Sequence, residues 1–289
     1  MIIYVNGKYV EEERASISPF DHGFLYGMGL FETIRIYSGH PFLLDDHLTR
    51  MAEGLEELFI KMPLTREQVL LILEKLLSLN GIVDARVRIN VSAGREQAGM
   101  PTKPYTEPSV LMFISPLEGG KDELKETKAR ILTLRRDTPP TLHRHKSHHF
   151  GNNIAAKMEM LAFRGEEGIF LSQEGFIAEG ITSNIFWVKN NVLYTPDVSV
   201  GILPGITRKF IMGLANKMDI PLEQGRYFLT ELQDAEEVFL TNSIQEMTAV
   251  TEILDVGRYE GKNGTITKTL SEYYKSFRCS LWKTDSVNR

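Results

Sequence analysis

The sequence predicts a mixed α/β protein in two parts, and three features of the chain point there. Segments with apolar residues at helical spacing alternate with short segments of period-two alternation, the pattern of helices packed on sheets. The 289 residues suffice for two domains. Finally, Ser115-Pro116-Leu117-Glu118-Gly119-Gly120-Lys121 sets a Gly-Gly pair between a proline and charged residues, which marks the break between a domain of residues 1–118 and one of residues 119–289.

The elements follow in order. Tyr4-Val5, an Asn6-Gly7 turn and Tyr9-Val10 read as a hairpin. The glycines of Ser18 to Gly29 make a tight backbone loop, and Phe31 to Tyr37 alternates like a strand. Pro41 to Ile60 places Leu43, Leu44, Leu48, Met51, Leu55, Leu58 and Phe59 at helical spacing, with Arg50 among them. Thr65-Arg66-Glu67-Gln68 is an N-cap signature for a helix ending at Asn80-Gly81. Strands are expected over Ala85–Ser92, with Arg86 and Arg88 on one face, and over Ser109–Ser115. The loop between them, from Ala93 to Pro108, is long enough for a lid or substrate loop.

In the second half a strand, a loop with Lys146 and a helix from Asn153 to Phe163 lead to a strand over Gly168–Leu171. Glu174-Gly175 turns the chain, Asn190-Asn191 turns it again between Ile185–Lys189 and Val192–Tyr194, and Gly205 opens a helix running to about Met218. Glu237–Thr241 reads as a buried strand, and a helix from about Thr267 closes the chain.

Composition narrows the function classes. At 42% hydrophobic and 25% charged residues, with formal net charge -5, the chain is an ordinary globular protein without the basic face that nucleic-acid binding requires. Its one cysteine, Cys279, rules out an intrachain disulfide and a multi-cysteine metal site and suits a reducing cytoplasm. The N-terminal residues lack the pattern of a signal peptide, and no apolar run approaches the ~20 residues of a membrane span. His143, His145, His148 and His149 have an odd spacing and no neighbouring acid or thiol ligand, so no metal is expected.

The chemistry gathers around His143-Arg144-His145-Lys146-Ser147-His148-His149. A lysine among imidazoles and an arginine loses its proton more easily, and a neutral amine attacks carbonyls. A solvated basic loop has the same letters. Gly205-Ile206-Thr207 offers backbone N–H groups and a hydroxyl at a helix start, either a site for a phosphate or a plain cap. Glu179, between Ala178 and Gly180, is either a reactive acid or a hydrogen-bonded strut. Taken together, a lysine nucleophile, an anion cradle and an acid for a ring nitrogen match the needs of a pyridoxal phosphate enzyme.

The set Asp21-His22-Gly23, His47-Leu48-Thr49-Arg50, Lys146-Ser147, Glu179-Gly180-x-x-Ser183-Asn184-x-Phe186, Gly205-Ile206-Thr207-Arg208 and Thr241-Asn242-Ser243 resembles the fold-type IV (class IV aminotransferase) pyridoxal phosphate enzymes across nearly the whole chain. That family includes branched-chain and D-amino acid aminotransferases and 4-amino-4-deoxychorismate lyases. Ser18 to Gly27, Ala85 to Gly94 and Lys146-Ser147-His148-His149 are most similar to the lyases of the Gram-positive type.

The resemblance implies a two-domain fold with pyridoxal 5'-phosphate in the interdomain cleft, a cytoplasmic homodimer, and conversion of aminodeoxychorismate to 4-aminobenzoate and pyruvate in folate biosynthesis. It implies that Lys146 binds the cofactor covalently and shuttles a proton, that Glu179 pairs with the pyridine nitrogen, and that Arg50, Ile206, Thr207 and Ser243 hold the phosphate. Thr33 is a candidate proton donor to the leaving group. Phe31, Arg88, Arg95, Arg144 and His145 are candidates for contact with the substrate, which carries two carboxylates. The alternative is a transaminase for branched-chain or D-amino acids. Phe31 replaces the tyrosine of the D-amino acid enzymes and Arg95-Glu96-Gln97 lacks their histidine, which weakens the D-amino acid version; Gly151 replaces the tyrosine of the branched-chain enzymes.

Overall fold

The computed structural model of the chain describes residues 1–117, 123–141 and 143–288. The chain divides into two compact units: Met1–Gly120 with His145–His149 and Cys279–Lys283, and Lys121–Arg144 with Phe150–Arg278 and Thr284–Arg289. The break expected at Gly119-Gly120 falls on residues 118–122, outside the described residues. A single cut there does not describe the division, because two short segments from the second half join the first unit. Backbone pairing is the reason. Phe31 N donates to Lys146 O at 2.8 Å and His148 N to Gly29 O at 2.9 Å, while Leu43 N donates to Leu281 O at 3.0 Å.

The first unit is an antiparallel sheet with helices on one face. Its elements are β1 (Ile2–Val5), β2 (Lys8–Glu11), α1 (His22–Tyr26), β3 (Gly29–Tyr37), β4 (His40–Pro41), α2 (Leu44–Glu57), α3 (Arg66–Asn80), β5 (Ala85–Ser92) and β6 (Ser109–Pro116). The strands run in the order β2-β1-β6-β5-β3-β4. Alternation decides the faces. Leu30, Ile34 and Ile36 of β3, Val87, Ile89 and Val91 of β5, and Val110, Met112 and Ile114 of β6 form one core with Met51 and Leu55 of α2 and Val69, Ile72, Leu73 and Leu76 of α3. Cross-strand partners share a face, so the pairs Phe31–Asn90 and Thr33–Arg88 put these four residues on the opposite side of the sheet. The region expected to be only a glycine loop contains α1, capped by Asp21, whose Oδ1 accepts from Gly23 N at 2.7 Å.

The second unit is built on a larger mixed sheet in the order β12-β11-β10-β13-β14-β7-β8-β9, with β15 paired to β14. The elements are β7 (Lys125–Ile131), α4 (Gly151–Glu159), β8 (Glu166–Leu171), β9 (Ile177–Gly180), β10 (Asn184–Lys189), β11 (Val192–Pro196), α5 (Ile206–Lys217), β12 (Leu222–Gly225), β13 (Glu237–Asn242), β14 (Glu246–Ile253), β15 (Gly257–Arg258) and α6 (Thr265–Phe277). Ile169, Ile177, Ile185, Trp187, Val238, Leu240 and Val250 share one core, and Leu132, Ala156, Met160, Phe170, Ala178, Ile181 and Ile202 share another. Among the described residues no helix is long and apolar enough to cross a membrane.

Candidate active site

In the first unit the lysine segment lies along the start of β3. The bridge between Leu30 and Ser147, with the two flanking backbone bonds, holds Lys146 in register with Phe31. The Lys146 ammonium nitrogen stands 4.6 Å from the centre of the Phe31 ring, and the Arg88 guanidinium carbon 3.6 Å from it. Cations over an aromatic face are attracted by its quadrupole, so Phe31 positions both. Arg88 Nε donates to Asn90 Oδ1 at 2.9 Å. Burial, aided by the like charge of Arg86, pushes the Arg88 guanidinium below its ordinary value.

His148 follows on the same segment, its ring stacked near Phe31 at 6.3 Å between centres. Burial and then the Arg88 charge push its pKa down to about 4, against the pull of Asp21. Gly29 makes room for it, since a Cβ there would lie 2.6 Å from the imidazole. The neighbouring histidines are engaged elsewhere: His145 Nε2 meets Glu57 Oε2 at 2.8 Å, and His149 Nε2 donates to Tyr26 O at 3.0 Å. Among the described residues no cluster of His, Cys, Asp and Glu could hold a metal ion.

Behind the same strand, Glu32 points to α2 and is buried. Its Oε1 accepts from Arg50 Nε at 2.8 Å, and its Oε2 accepts from Arg50 Nη2 and from His47 Nδ1, each at 2.7 Å. Burial alone would raise the carboxyl, but the Arg50 and His47 charges outweigh it and hold its pKa at about 2. The bidentate grip fixes the plane of the Arg50 guanidinium.

In the second unit Glu179 ends β9 and is 4% exposed. Its Oε1 accepts from Arg136 Nε at 2.9 Å; its Oε2 accepts from Leu203 N at 3.0 Å and from Asn184 Nδ2 at 3.3 Å. Arg136 is held in turn by Asn152 and Asn153, whose Oδ1 atoms accept from its Nη1 at 2.8 and 3.1 Å. A carboxylate offers about four acceptor positions. Among the described residues the two on Oε2 are filled and one on Oε1 remains for a further N–H donor. Arg144 Nε comes within 4.0 Å of Oε1, while its Nη2 pairs with Asp137 at 2.9 Å. Burial and the like charge of Arg136 push Arg144 below its ordinary value, against Glu179 and Asp137.

Asn184 ties this acid to the start of α5. It donates to Leu203 O at 2.9 Å, and a Cβ on Gly205 would lie 1.9 Å from its Oδ1, so only glycine fits at this N-cap. Among the described residues no side chain caps α5, and Thr207 in its first turn is buried. The first-turn N–H groups and the dipole therefore suit an anion. Asn184 also pairs with Thr241 across β10 and β13, which places the turn carrying Ser243 at the same end of the sheet. The buried Thr241 hydroxyl has no partner among the described residues. The donor set fits a ligand with one protonated ring nitrogen and one phosphate.

The amino-transferase class IV family model matches residues 29–253. The chain belongs to this family. It is 45% identical over 276 residues, 95% of this chain and 94% of the relative, to the aminodeoxychorismate lyase of Bacillus subtilis. Among solved structures it is similar to the branched-chain aminotransferase of Thermoproteus uzoniensis with norvaline, at TM-score 0.86 and 29% identity, covering 96% of this chain and 95% of that one. The branched-chain amino acid aminotransferase of Escherichia coli gives TM-score 0.84 and 27% identity over 96% of this chain and 94% of that one. The two-domain α/β class expected from the sequence is that of these class IV structures.

The expected residues fall into two groups, each within one unit. Lys146, Phe31, Thr33 and Arg88 gather on one face of the first sheet, and Arg50 stands behind β3. Glu179, Ile206, Thr207 and Ser243 gather in the second unit. Three candidates are placed differently. Arg95 is exposed and bridges by backbone to Asp21, His145 is paired with Glu57, and Arg144 is buried against Asp137 and Gly201 O. Glu32, Arg136, Asn90 and His148 carry interactions that sequence reasoning did not assign. For Glu32 a signal existed, an acid in the same alternating row as Ile34 and Ile36; for Arg136 none did.

Proposed function

We propose that this chain is a 4-amino-4-deoxychorismate lyase that binds pyridoxal 5'-phosphate and releases 4-aminobenzoate and pyruvate. The observation that carries this reading is the 45% identity to the Bacillus subtilis lyase along 95% of the chain. The pairing of Lys146 with the strand of Phe31 and Thr33 supports it. When bound, the cofactor supplies an electron sink for the carbon next to the substrate amine. Lys146 would hold the cofactor, and its amine would take the proton from that carbon.

Glu179 offers its remaining Oε1 position to the pyridine nitrogen, with Arg136 keeping the carboxylate oriented. Ile206, Thr207, Ser243 and Arg50 hold the phosphate. Arg88 and Phe31 face the substrate, with Arg95, Arg144 and His145 in outlying or supporting positions. Thr33 gives a proton to the departing enolpyruvyl group. The C–O bond to that group breaks, its electrons go to the oxygen, and loss of the carbon-bound proton leaves the ring aromatic. The resemblance also supports a cytoplasmic homodimer and a place in folate biosynthesis.

Purified protein given aminodeoxychorismate, lactate dehydrogenase and NADH tests this. The lyase releases pyruvate, and so oxidises NADH, with no keto acid added. Turnover only in the presence of a keto acid acceptor would make the chain a transaminase instead.

A further inference from the structure

On the site face of the first unit, two buried polar atoms have no partner among the described residues: Asn90 Nδ2 and His148 Nε2. Leaving such groups unpaired is costly, so they suit a ligand. Their chemistry is decided by their neighbours. Arg88 can only donate, so the Asn90 atom facing it at 2.9 Å is the oxygen, and Nδ2 is an unused donor. The Nδ1 edge of the His148 ring lies against the start of β3, where a Cβ on Gly29 would come within 2.6 Å of it, and the Leu30 backbone there favours the protonated ring. We place the proton of the neutral ring on Nδ1, the nitrogen that faces this backbone, since Nε2 has no partner among the described residues. In the neutral ring Nε2 is then a bare acceptor. A guanidinium lies against the ring of Phe31 between these two atoms' strands, 3.6 Å from its centre.

We propose that Arg88, Asn90 and His148 form the subsite for the ring carboxylate of the substrate, and that His148 Nε2 takes a proton from solvent as that carboxylate enters. This rests on the lyase reading of the site. Arg88 and Asn90 Nδ2 offer a cation and a neutral donor to the anion. A carboxylate cannot sit against a bare imidazole lone pair, but it binds an imidazolium well. The groups around the ring are Arg88, which opposes protonation, Asp21, which favours it, and His149, which opposes it weakly. One more negative charge within hydrogen-bond reach raises a histidine by about 1–3 units, which brings His148 from about 4 toward neutral pH. Substrate anion and proton therefore bind together, and acid conditions favour the carboxylate form over an uncharged analogue.

The test uses holoenzyme with 4-aminobenzoate as probe and aniline, which lacks the carboxylate, as control. Titration calorimetry at pH 6 in two buffers of different ionisation heat counts the protons taken up, and histidine NMR of the wild-type protein reads the His148 ring directly. Wild type takes up a fraction of a proton with 4-aminobenzoate and none with aniline, and the His148 ring becomes imidazolium. His148→Asn keeps a donor near the Nδ1 position but has nothing at Nε2, and weakens 4-aminobenzoate binding and raises KM roughly ten- to hundredfold, with kcat changed less. His148→Gln supplies a fixed donor near Nε2; it restores most of the binding, loses the proton uptake and flattens the pH dependence of KM. A purely structural histidine would not show that split.

A ring that stays neutral on binding overturns the proposal, as does proton uptake equal in wild type and His148→Gln, or 4-aminobenzoate binding too weak to detect. The pyruvate assay on the same preparation separates the failures. Pyruvate release without proton coupling removes this subsite and leaves the lyase reading standing, whereas no pyruvate release removes both.

Discussion

The two buried acids of this chain, Glu32 and Glu179, look alike and are built for different ends. Each is fixed by an arginine at 2.7–2.9 Å. Glu32 spends both oxygens on side-chain donors, Arg50 twice and His47 once, and its carboxyl sits at about 2. Glu179 spends one oxygen on Arg136 and the other on neutral donors, the Leu203 amide and the Asn184 side chain. The first arrangement saturates the acid and aims a guanidinium; the second keeps an acceptor position open on the acid itself. A buried carboxylate is therefore identified by what its lone pairs do, more than by its burial.

Substitutions at each acid sharpen the contrast. Glu179→Gln should lower turnover on aminodeoxychorismate by about a hundredfold or more while the protein still binds pyridoxal phosphate, because an amide cannot neutralise a ring cation. Near-normal turnover would take Glu179 out of that role. Glu32→Gln should act first on the fold and on Arg50. Breaking one side of a buried pair costs roughly 3–5 kcal/mol, read by denaturant unfolding, and phosphate affinity should fall with it.

Acid titration gives a smaller effect with a definite sign. The Glu32 carboxyl is depressed from 4.5 to about 2, so its contribution to stability is complete above the unfolded value and is lost as pH falls from about 5 toward 2. Wild type should lose roughly 3 kcal/mol more than Glu32→Gln across that window. Parallel acid unfolding curves would show that the clamp does not act as described. The smallest effect is expected at Thr33, where Thr33→Val removes a hydroxyl from a half-buried position and should slow pyruvate release several-fold at unchanged stability, read in the coupled assay. No change in rate would pass the proton step to Lys146 alone.

Local chemistry made much of the fold legible. Thr65 and Gln68 form the expected capping box, and the helix ends at Gly81 with φ 64°. Asn190 and Asn191 adopt φ of 52° and 61° and turn β10 into β11. The strand Ala85–Ser92 has the expected bounds. What failed were features fixed by distant partners. Glu246–Ile253 breaks strand alternation because its central residues are buried on both faces and a bulge interrupts its pairing between Val250 and Glu252. The domain assignment of Lys146 depends on backbone bonds to Gly29 and Phe31, more than a hundred positions earlier. Lys146 and Glu179 stood out from their neighbours in the sequence, whereas Glu32 and Arg136 acquire meaning only through Arg50 and Glu179.

The central claim is that the amine of Lys146 carries pyridoxal phosphate. Borohydride reduction of the yellow holoenzyme, followed by peptide mapping, tests it most directly. The phosphopyridoxyl label should appear on the peptide containing Lys146 and vanish in Lys146→Ala; a label on another lysine, or none, would contradict it.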